Sequence, residues 1–203
     1  MHIALFGATG GTGRQVLAQG IAQGHSISAL VRDPAKLPDR AGLTKVQGDV
    51  LDPEPVAQCV AGADAVICVL GSHGRQAPVE AGGTERILEA MRASGVRRLI
   101  VVTSLGVGDS RPQLSWPVRL MMDLTLGAIM RAKEAQEALV KASGLDWTIV
   151  RPGGLTDGPK TGGYGFGVDS AIKPGRVSRA DVADFVLRQL ADDGFLHQAP
   201  AVV

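Results

Sequence analysis

Short apolar runs alternate with longer stretches of mixed character along the whole chain. Uninterrupted apolar runs are typical of parallel strands that are covered on both faces, whereas apolar residues at intervals of three and four predict helices. The predicted strands lie at 2–6, 26–31, 43–47, 65–70, 98–103 and 146–150. The predicted helices lie at 14–23, 53–60, 79–94, 132–143 and 180–190, with Gly95 as a C-cap and Ser178 as an N-cap.

Regular alternation of strand and helix predicts an α/β fold built on a doubly wound parallel sheet, the Rossmann architecture. No linker, repeat or charge run interrupts the 203 residues, so we expect a single domain over 1–203. Two long segments without clear periodicity, 106–130 and 153–175, are predicted to be loops that border a substrate.

Composition narrows the class of partner. The chain has 21 Lys and Arg against 20 Asp and Glu, a net charge of +1 that argues against nucleic-acid and membrane-surface partners. No apolar run approaches the roughly 20 residues that cross a bilayer, and a strand directly at the N-terminus leaves no room for a signal peptide. Cys59 and Cys68 lie in apolar stretches without metal-ligand spacing, so we expect free thiols, no metal and a cytoplasmic location.

A glycine-rich loop joins the first strand to the first helix, with the sequence Gly-Ala-Thr-Gly-Gly-Thr-Gly at 7–13. Glycines in such a loop allow a tight turn, a close approach of the backbone to a pyrophosphate, and contact between helix and strand. The N–H groups at the helix N-terminus bind the anion, and Thr9 and Thr12 add hydroxyl donors. This position at the first strand-to-helix junction predicts a dinucleotide site at Gly7, Thr9, Gly10, Gly11, Thr12 and Gly13.

The residue that ends the second strand selects the cofactor. A carboxylate here is typical of NAD sites, and an arginine of NADP sites. Arg32 occupies this position, and a guanidinium suits a 2′-phosphate dianion, so we predict NADPH. In the alternative interpretation Arg32 is a solvated turn residue and Asp33 begins an Asx turn before Pro34.

The other strand ends supply the remaining contacts, because ligands of open parallel sheets bind at the carboxyl ends of the strands. Asp49 is predicted to meet the adenine through its side chain or the neighbouring backbone of Val50; the alternative is a helix cap. Backbone of Leu70, Gly71 and Ser72 is expected near the adenosine ribose and the pyrophosphate. Thr103 and Ser104 are expected at the nicotinamide end.

With these residues the chain resembles the atypical short-chain dehydrogenase/reductases, nearest to the branch of biliverdin-IXβ reductase and flavin reductase. The resemblance covers almost the whole length. Its motifs are Phe-Gly-Ala-Thr-Gly-x-Thr-Gly at 6–13, Val-Arg-Asp at 31–33, Gly-Asp-Val at 48–50, Gly-x-Asp-Ala-Val-Ile at 62–67, Thr-Ser at 103–104, Ala-Ser-Gly-Leu at 142–145 and Arg-Pro-Gly at 151–153. The resemblance implies NADPH binding at the positions above and at Lys133, Pro152 and Gly153, with hydride transfer to a planar acceptor.

The chain departs from the family at the proton donor. Many members use a Tyr-x-x-x-Lys pair, in which the lysine holds the nicotinamide ribose and lowers the tyrosine pKa. Lys133 matches the lysine, but Ile129 replaces the tyrosine, and Gly154 stands where the flavin-reductase branch leads us to expect a histidine. Ser104 and Lys133 are therefore the candidate catalytic residues. For Ser104 a nicotinamide-binding role competes with proton donation, and for Lys133 a ribose contact competes with a solvated charge.

The acceptor site is predicted from two apolar segments. The methionine-rich stretch 114–130 would line a pocket or, alternatively, pack as core. Tyr164 and Phe166 lie in the late glycine-rich loop and would either cover a planar ring or pack within an ordered loop.

Two functions follow as hypotheses. The first is an NADPH-dependent reductase of flavins, quinones or linear tetrapyrroles, expected to be a monomer with a weak dimer as the alternative. The second is a non-catalytic NADP(H)-sensing regulator of the NmrA-like type. A sugar-nucleotide epimerase fits less well, because such enzymes usually keep the tyrosine and carry a larger C-terminal domain.

Overall fold

The computed structural model describes residues 1–72, 77–168 and 172–203. Ten strands and five α-helices lie within them. The strands are β1 (His2–Phe6), β2 (Ser26–Val31), β3 (Leu43–Gln47), β4 (Ala65–Cys68), β5 (Arg98–Val102), β6 (Asp146–Pro152), β7 (Gly154–Thr156), β8 (Phe166–Gly167), β9 (Arg176–Ser178) and β10 (Ala201–Val202). The helices are α1 (Gly11–Ala22), α2 (Pro53–Val60), α3 (Glu80–Ser94), α4 (Trp116–Lys141) and α5 (Arg179–Arg188).

The main sheet has the strand order β3-β2-β1-β4-β5-β6-β10-β8. Its first seven strands are parallel, and only β8 runs antiparallel to its neighbour β10. The predicted doubly wound sheet is confirmed, and the chain order reverses between β1 and β4. A small second sheet pairs β7 with β9.

Both faces of the sheet are covered. Along β1, Ile3 and Leu5 pack towards α1 and α5, whereas Ala4 and Phe6 pack towards α2, α3 and α4. All four side chains are fully buried. Successive strand residues point to opposite faces, so a strand covered on both sides must be apolar throughout, and this produced the uninterrupted runs.

The segment 106–130 is not one loop, and this prediction was wrong. Helix α4 begins at Trp116 instead of at 132, preceded by a 3-10 turn at Gly108–Gln113. Pro117 lies in the first turn, where its missing N–H costs no hydrogen bond, and the following Leu and Met residues are good helix formers.

The first half of α4 also differs from its expected burial. Packing as core, one of the two interpretations of this stretch, does not hold here, because the exposed fraction is 70% for Trp116 and 79% for Leu124. Leu120 and Met121 are exposed as well, whereas Met130 is buried. In the first half Met122 packs against the small cluster of Leu105, Leu114 and Ala201, and in the second half Val140 joins the larger cluster under α3.

The late segment 153–175 is tied to the start of α5. Asp181 accepts hydrogen bonds from the N–H groups of Thr161 and Gly162 and from the hydroxyl of Ser178. Ser178 in turn accepts from the N–H of Asp181, which confirms it as the N-cap of α5. The part of the predicted loop around Thr161 and Gly162 therefore lies against α5, on the same face of the sheet as α1. The prediction of one continuous loop was wrong, because Gly154–Thr156 and Phe166–Gly167 form β7 and β8.

Among the described helices, none combines the length and the apolar character needed to cross a membrane. Within the same residues, no cluster of His, Cys, Asp and Glu has a composition suited to hold a metal ion.

Candidate functional site

The glycine-rich loop turns sharply between β1 and α1. Gly7 has a φ of +89°, which favours glycine, and a Cβ at this position would collide with the carbonyl oxygen of Val69. A Cβ on Gly13 would collide with the carbonyl oxygen of Gly7. These two glycines allow α1 to start directly above the sheet edge, between β1 and β4.

The N-terminus of α1 presents free amide groups. The N–H of Gly10 donates to the Gly7 carbonyl at 3.1 Å, and that of Arg14 donates to the Gly10 carbonyl at 2.9 Å. Within the described part of the chain, the amides of Gly11, Thr12 and Gly13 find no acceptor. The first turn carries no acidic side chain, so its partial positive charge is uncompensated. Free amides and an uncompensated helix N-terminus are the features that suit a helix end to an anion.

Arg32 follows the last residue of β2 and is exposed at the carboxyl edge. The neighbouring Asp33 is engaged in a turn, because its carboxylate accepts from the N–H of Ala35 at 3.1 Å. This is the predicted Asx turn, and it holds the carboxylate against the 3-10 turn at Pro34–Lys36. Arg32 is therefore an exposed basic side chain at the end of β2, an arrangement that fits both interpretations of this residue.

Asp49 ends the loop after β3 and is partly buried. Its carboxylate accepts from the N–H of Leu51 at 3.0 Å, whereas Asp52 occupies the N-cap of α2. The predicted helix-cap alternative is thus replaced by a local turn. Val50 is buried next to Leu70, and both side chains cover Gly83 of α3.

The residues after β4 are held by a buried carboxylate. Glu80, at the start of α3, accepts from the N–H of Ser72 at 2.8 Å and from its hydroxyl at 2.7 Å. Burial raises the pKa of Glu80, but these hydrogen bonds outweigh it and the pKa is lowered. The hydroxyl of Ser72 is therefore committed to the protein, and only the nearby backbone remains available to a ligand.

Lys133 projects from α4 towards the same strand end. Its ammonium lies 3.5 Å from the carbonyl oxygen of Leu70, and desolvation lowers its pKa while the negative charge of Glu80 opposes that shift. Lys133 is thus a partly buried cation beside the β4 edge, not the solvated helix charge of the alternative interpretation.

Thr103 and Ser104 follow β5 but have different environments. The hydroxyl of Thr103 is buried and donates to Glu137 at 2.8 Å, whereas that of Ser104 is partly exposed and donates to the Leu105 carbonyl at 3.1 Å. Next to them, the N–H of Leu105 donates to the carbonyl of Pro152 at 2.9 Å. The fold therefore brings Ser104 close to the predicted Pro152–Gly153 backbone.

Beneath Thr103 lies an ion cluster that sequence reasoning missed. Arg151 of β6 contacts Glu137 at 2.5 and 3.0 Å and Asp109 at 2.6 Å. The hydrogen bond from Arg151 lowers the pKa of Asp109 to about 2, and the two carboxylates keep the pKa of Arg151 above its usual value despite burial. The available signal was an arginine, Arg151, directly after the apolar residues Ile149 and Val150 of a buried strand.

The single tyrosine of the chain does not take the place of the one missing near Lys133. Ile129 is partly buried one turn before Lys133 on α4. Tyr164 donates to Asp184 of α5 at 2.7 Å and packs edge-on against Phe185, with burial raising its pKa. It lies on the other face of the sheet from Lys133, where it anchors the late loop to α5.

Two cavities flank the turn after β5. One, of about 330 Å³, is bordered by Leu105, Gln113 and Arg151; the other, of about 240 Å³, is bordered by Gly106, Met130 and Arg131. The first is within the range usual for small-molecule sites. Both lie in the region where the acceptor is expected.

Comparison with known proteins agrees with this geometry. A family model described as NAD(P)H-binding matches residues 7–193. A chloroplastic uncharacterized protein of Arabidopsis thaliana is 32% identical, over 92% of this chain and 71% of its own length. A protein of Bacillus subtilis named as an uncharacterized sugar epimerase is also 32% identical, over 94% of this chain and 88% of its own length.

Among solved structures, an anaerobilin reductase from Escherichia coli O157:H7 superposes with a TM-score of 0.86. It is 28% identical, and the match covers 100% of this chain and 97% of that one. The resemblance to atypical short-chain dehydrogenase/reductases of the biliverdin-reductase type is confirmed.

Proposed function

The chain belongs to the NAD(P)H-binding family, and from this premise we propose that it is an NADPH-dependent reductase that delivers hydride to a planar acceptor, namely a flavin, a quinone or a linear tetrapyrrole. This family consists of NAD(P)H-binding oxidoreductases, and some of the relatives are named as reductases. The choice of NADPH, the acceptor class and the catalytic status are our proposal.

The observation that carries the proposal is that two features lie at the carboxyl ends of neighbouring strands: the free N-terminus of α1 after β1, and Arg32 after β2. Unpaired amides at Gly11 and Thr12 suit a pyrophosphate. Arg32 at the end of β2 suits an additional phosphate on the adenosine ribose. With Asp33 held in its turn, the side chain offered at this strand end is cationic.

Bound NADPH would supply the hydride. The chain's own residues would orient it: Ser104 by a hydrogen bond at the nicotinamide end, and Lys133 by a contact to the adjoining ribose. The side chains of Ile129 and Gly154 have no acidic group, and the hydroxyl of Tyr164 is bound to Asp184. The reduced acceptor would therefore take its proton from solvent. A planar acceptor of suitable reduction potential would not need a dedicated acid from the protein for this step.

The relatives favour reduction over epimerisation. The Escherichia coli neighbour is named as a reductase of anaerobilin, and bilins are linear tetrapyrroles. The Bacillus subtilis relative carries the name of a sugar epimerase, described as uncharacterized. The single tyrosine of this chain is engaged on the opposite face of the sheet, so the acid that epimerases of this group usually keep is lacking.

The test is a cofactor titration followed by an acceptor screen. NADPH oxidation is measured as loss of its absorbance near 340 nm with FMN, riboflavin, a benzoquinone and biliverdin in turn, each with and without protein. Turnover with at least one acceptor supports the proposal. Tight binding of NADPH and NADP⁺ with unequal affinity, and turnover with none, would instead support the sensor function.

A further inference from the structure

Arg179, near the C-terminal end of the sequence, lies against the glycine-rich loop at 7–13. Arg179 is the first residue of α5, and its side chain crosses to α1. A Cβ built on Gly11 would lie 2.6 Å from the Cδ and 2.8 Å from the Nε of Arg179, and 3.6 Å from its guanidinium carbon. Gly11 therefore leaves room for this side chain, and the two residues are 168 positions apart in sequence.

The guanidinium is held there by one further contact. Its Nη1 lies 2.5 Å from the carboxylate of Asp157, which stands in the late segment and has an exposed side chain. An ion pair with such an exposed partner contributes little stability, since solvent screens it. Asp157 therefore positions the arginine without occupying its remaining donors.

We propose that Arg179 is a pyrophosphate-binding residue of the cofactor site, and that it binds a different group of the cofactor from Arg32. The inference rests on the proposed cofactor. The amides of Gly11 and Thr12 are directed at the same anion, and Arg179 lies against Gly11. A guanidinium offers paired N–H donors to phosphate oxygens, so it would add a full positive charge to the partial charge of the helix end.

The other basic residue of the loop is less suited to this part. Arg14 donates its Nε to the carbonyl oxygen of Thr9 at 3.0 Å, which turns its side chain back along the loop. Arg179 instead approaches across Gly11 from a different element. The two arginines would thus bind different groups of one ligand. Arg179 would bind the pyrophosphate that NADH and NADPH share, and Arg32 would bind the 2′-phosphate that only NADPH has.

The experiment compares three ligands on four proteins by isothermal titration. NADPH, NADH and ADP are titrated into the wild type, Arg179→Ala, Arg32→Ala and Arg92→Ala. The last is a matched control, because Arg92 is an exposed arginine in the last turn of α3, at the opposite edge of the sheet. Thermal unfolding of each variant establishes that it is folded.

We expect Arg179→Ala to weaken all three ligands by a similar factor of at least about ten, the scale of a charge-assisted hydrogen bond. Arg179→Lys should recover part of that loss, and Arg92→Ala should bind like the wild type. If the wild type binds and Arg179→Ala binds within about twofold of it, the inference is wrong while the proposed cofactor stands. If the wild type binds none of the three, the proposed function itself fails.

A second set of variants tests the contact with Gly11. Gly11→Ala should weaken ADP binding, because the new methyl group displaces Arg179. In the Arg179→Ala background the same change should cost much less, since the obstructing side chain is gone. Equal losses in both backgrounds would show that Gly11 acts without Arg179 and would overturn the proposed coupling.

Discussion

Arg151 and Glu137 form a buried ion pair with two hydrogen bonds, from Nε to Oε1 at 3.0 Å and from Nη2 to Oε2 at 2.5 Å. The exposed fraction of both side chains is below 5%, at 4% and 3%. The pair joins β6 to α4 directly beneath Thr103, whose hydroxyl donates to the same carboxylate. It therefore fixes the strand end that carries Ser104 relative to the helix that carries Lys133.

Removing this carboxylate should destabilise the protein strongly. Glu137→Ala leaves the Arg151 guanidinium buried beside Asp109 alone, and breaking a buried pair costs about 3–5 kcal/mol. Urea unfolding followed by circular dichroism measures the change. The control is Glu89→Ala, which removes an exposed pair with Arg86 and should cost less than about 1 kcal/mol. Similar losses for both variants would contradict a special role for the buried pair.

The contact between Arg151 and Asp109 predicts a pH dependence at low pH. The pKa of Asp109 is about 2 in the folded protein, below its ordinary value of 3.8. A depressed carboxyl pKa stabilises the folded state above the unfolded pKa, and this stabilisation is lost as the pH falls from 3.8 towards 2. Because the Asp109 side chain is mostly exposed, we expect a small effect, below about 1 kcal/mol.

The measurement is the free energy of unfolding of the wild type minus that of Asp109→Asn between pH 2 and 5. The difference should level off as the pH approaches 5 and shrink on acidification. A difference that grows as the pH falls would have the wrong sign for this pair.

Arg32→Ala should change cofactor preference. Loss of one charged hydrogen-bonding partner is expected to weaken NADPH by about 1.5–3 kcal/mol and to leave NADH almost unchanged. Fluorescence or calorimetric titration with both cofactors provides the measurement, and Arg40→Ala, an exposed arginine in the turn before β3, is the control. Equal losses for NADPH and NADH would exclude the 2′-phosphate as the group bound.

Ser104→Ala separates binding from proton donation. If the hydroxyl only orients the nicotinamide, kcat should fall by less than about tenfold and its pH profile should keep its shape. A general acid contributes about 10²–10⁴ to the rate. A loss in that range, together with a shifted pH profile, would instead make Ser104 the proton donor.

Lys133→Met should weaken NADPH and NADH alike, because the nicotinamide ribose is common to both. It also leaves the buried Glu80 without its nearby cation, so thermal unfolding is measured in parallel. The matched control is Lys141→Met, a residue on the same helix that contacts Glu137. Unchanged affinity in a folded Lys133→Met protein would assign the lysine to support of Glu80 alone.

Local patterns were sufficient for the parts of this protein that local physics controls. Parallel strands that are covered on both faces are rich in apolar residues, so short apolar runs between helix-like stretches were enough to place β1 to β6. Gly7 and Gly13 occupy positions where a side chain would collide with backbone, so the loop carries a signature in residue type. Arg32 could be located because it directly follows a strand.

Tertiary contacts decided the rest. Helix α4 extends 16 residues further towards the N-terminus than its predicted start, because an exposed apolar segment carries no amphipathic signal. The partners of Tyr164 were equally hidden, since Asp184 and Phe185 lie in a helix that meets the loop only after folding.

The sequence by itself determined the sheet, the glycine-rich turn at 7–13 and the absence of a tyrosine at position 129. Only the tertiary structure decided that Arg151 meets Glu137, that Ser72 is bound to Glu80, and that Arg179 covers Gly11. The physical reason is separation along the chain. Strand and turn preferences act between neighbours, whereas these contacts join residues of different elements, from 8 to 168 positions apart, through packing of helices on a common sheet edge.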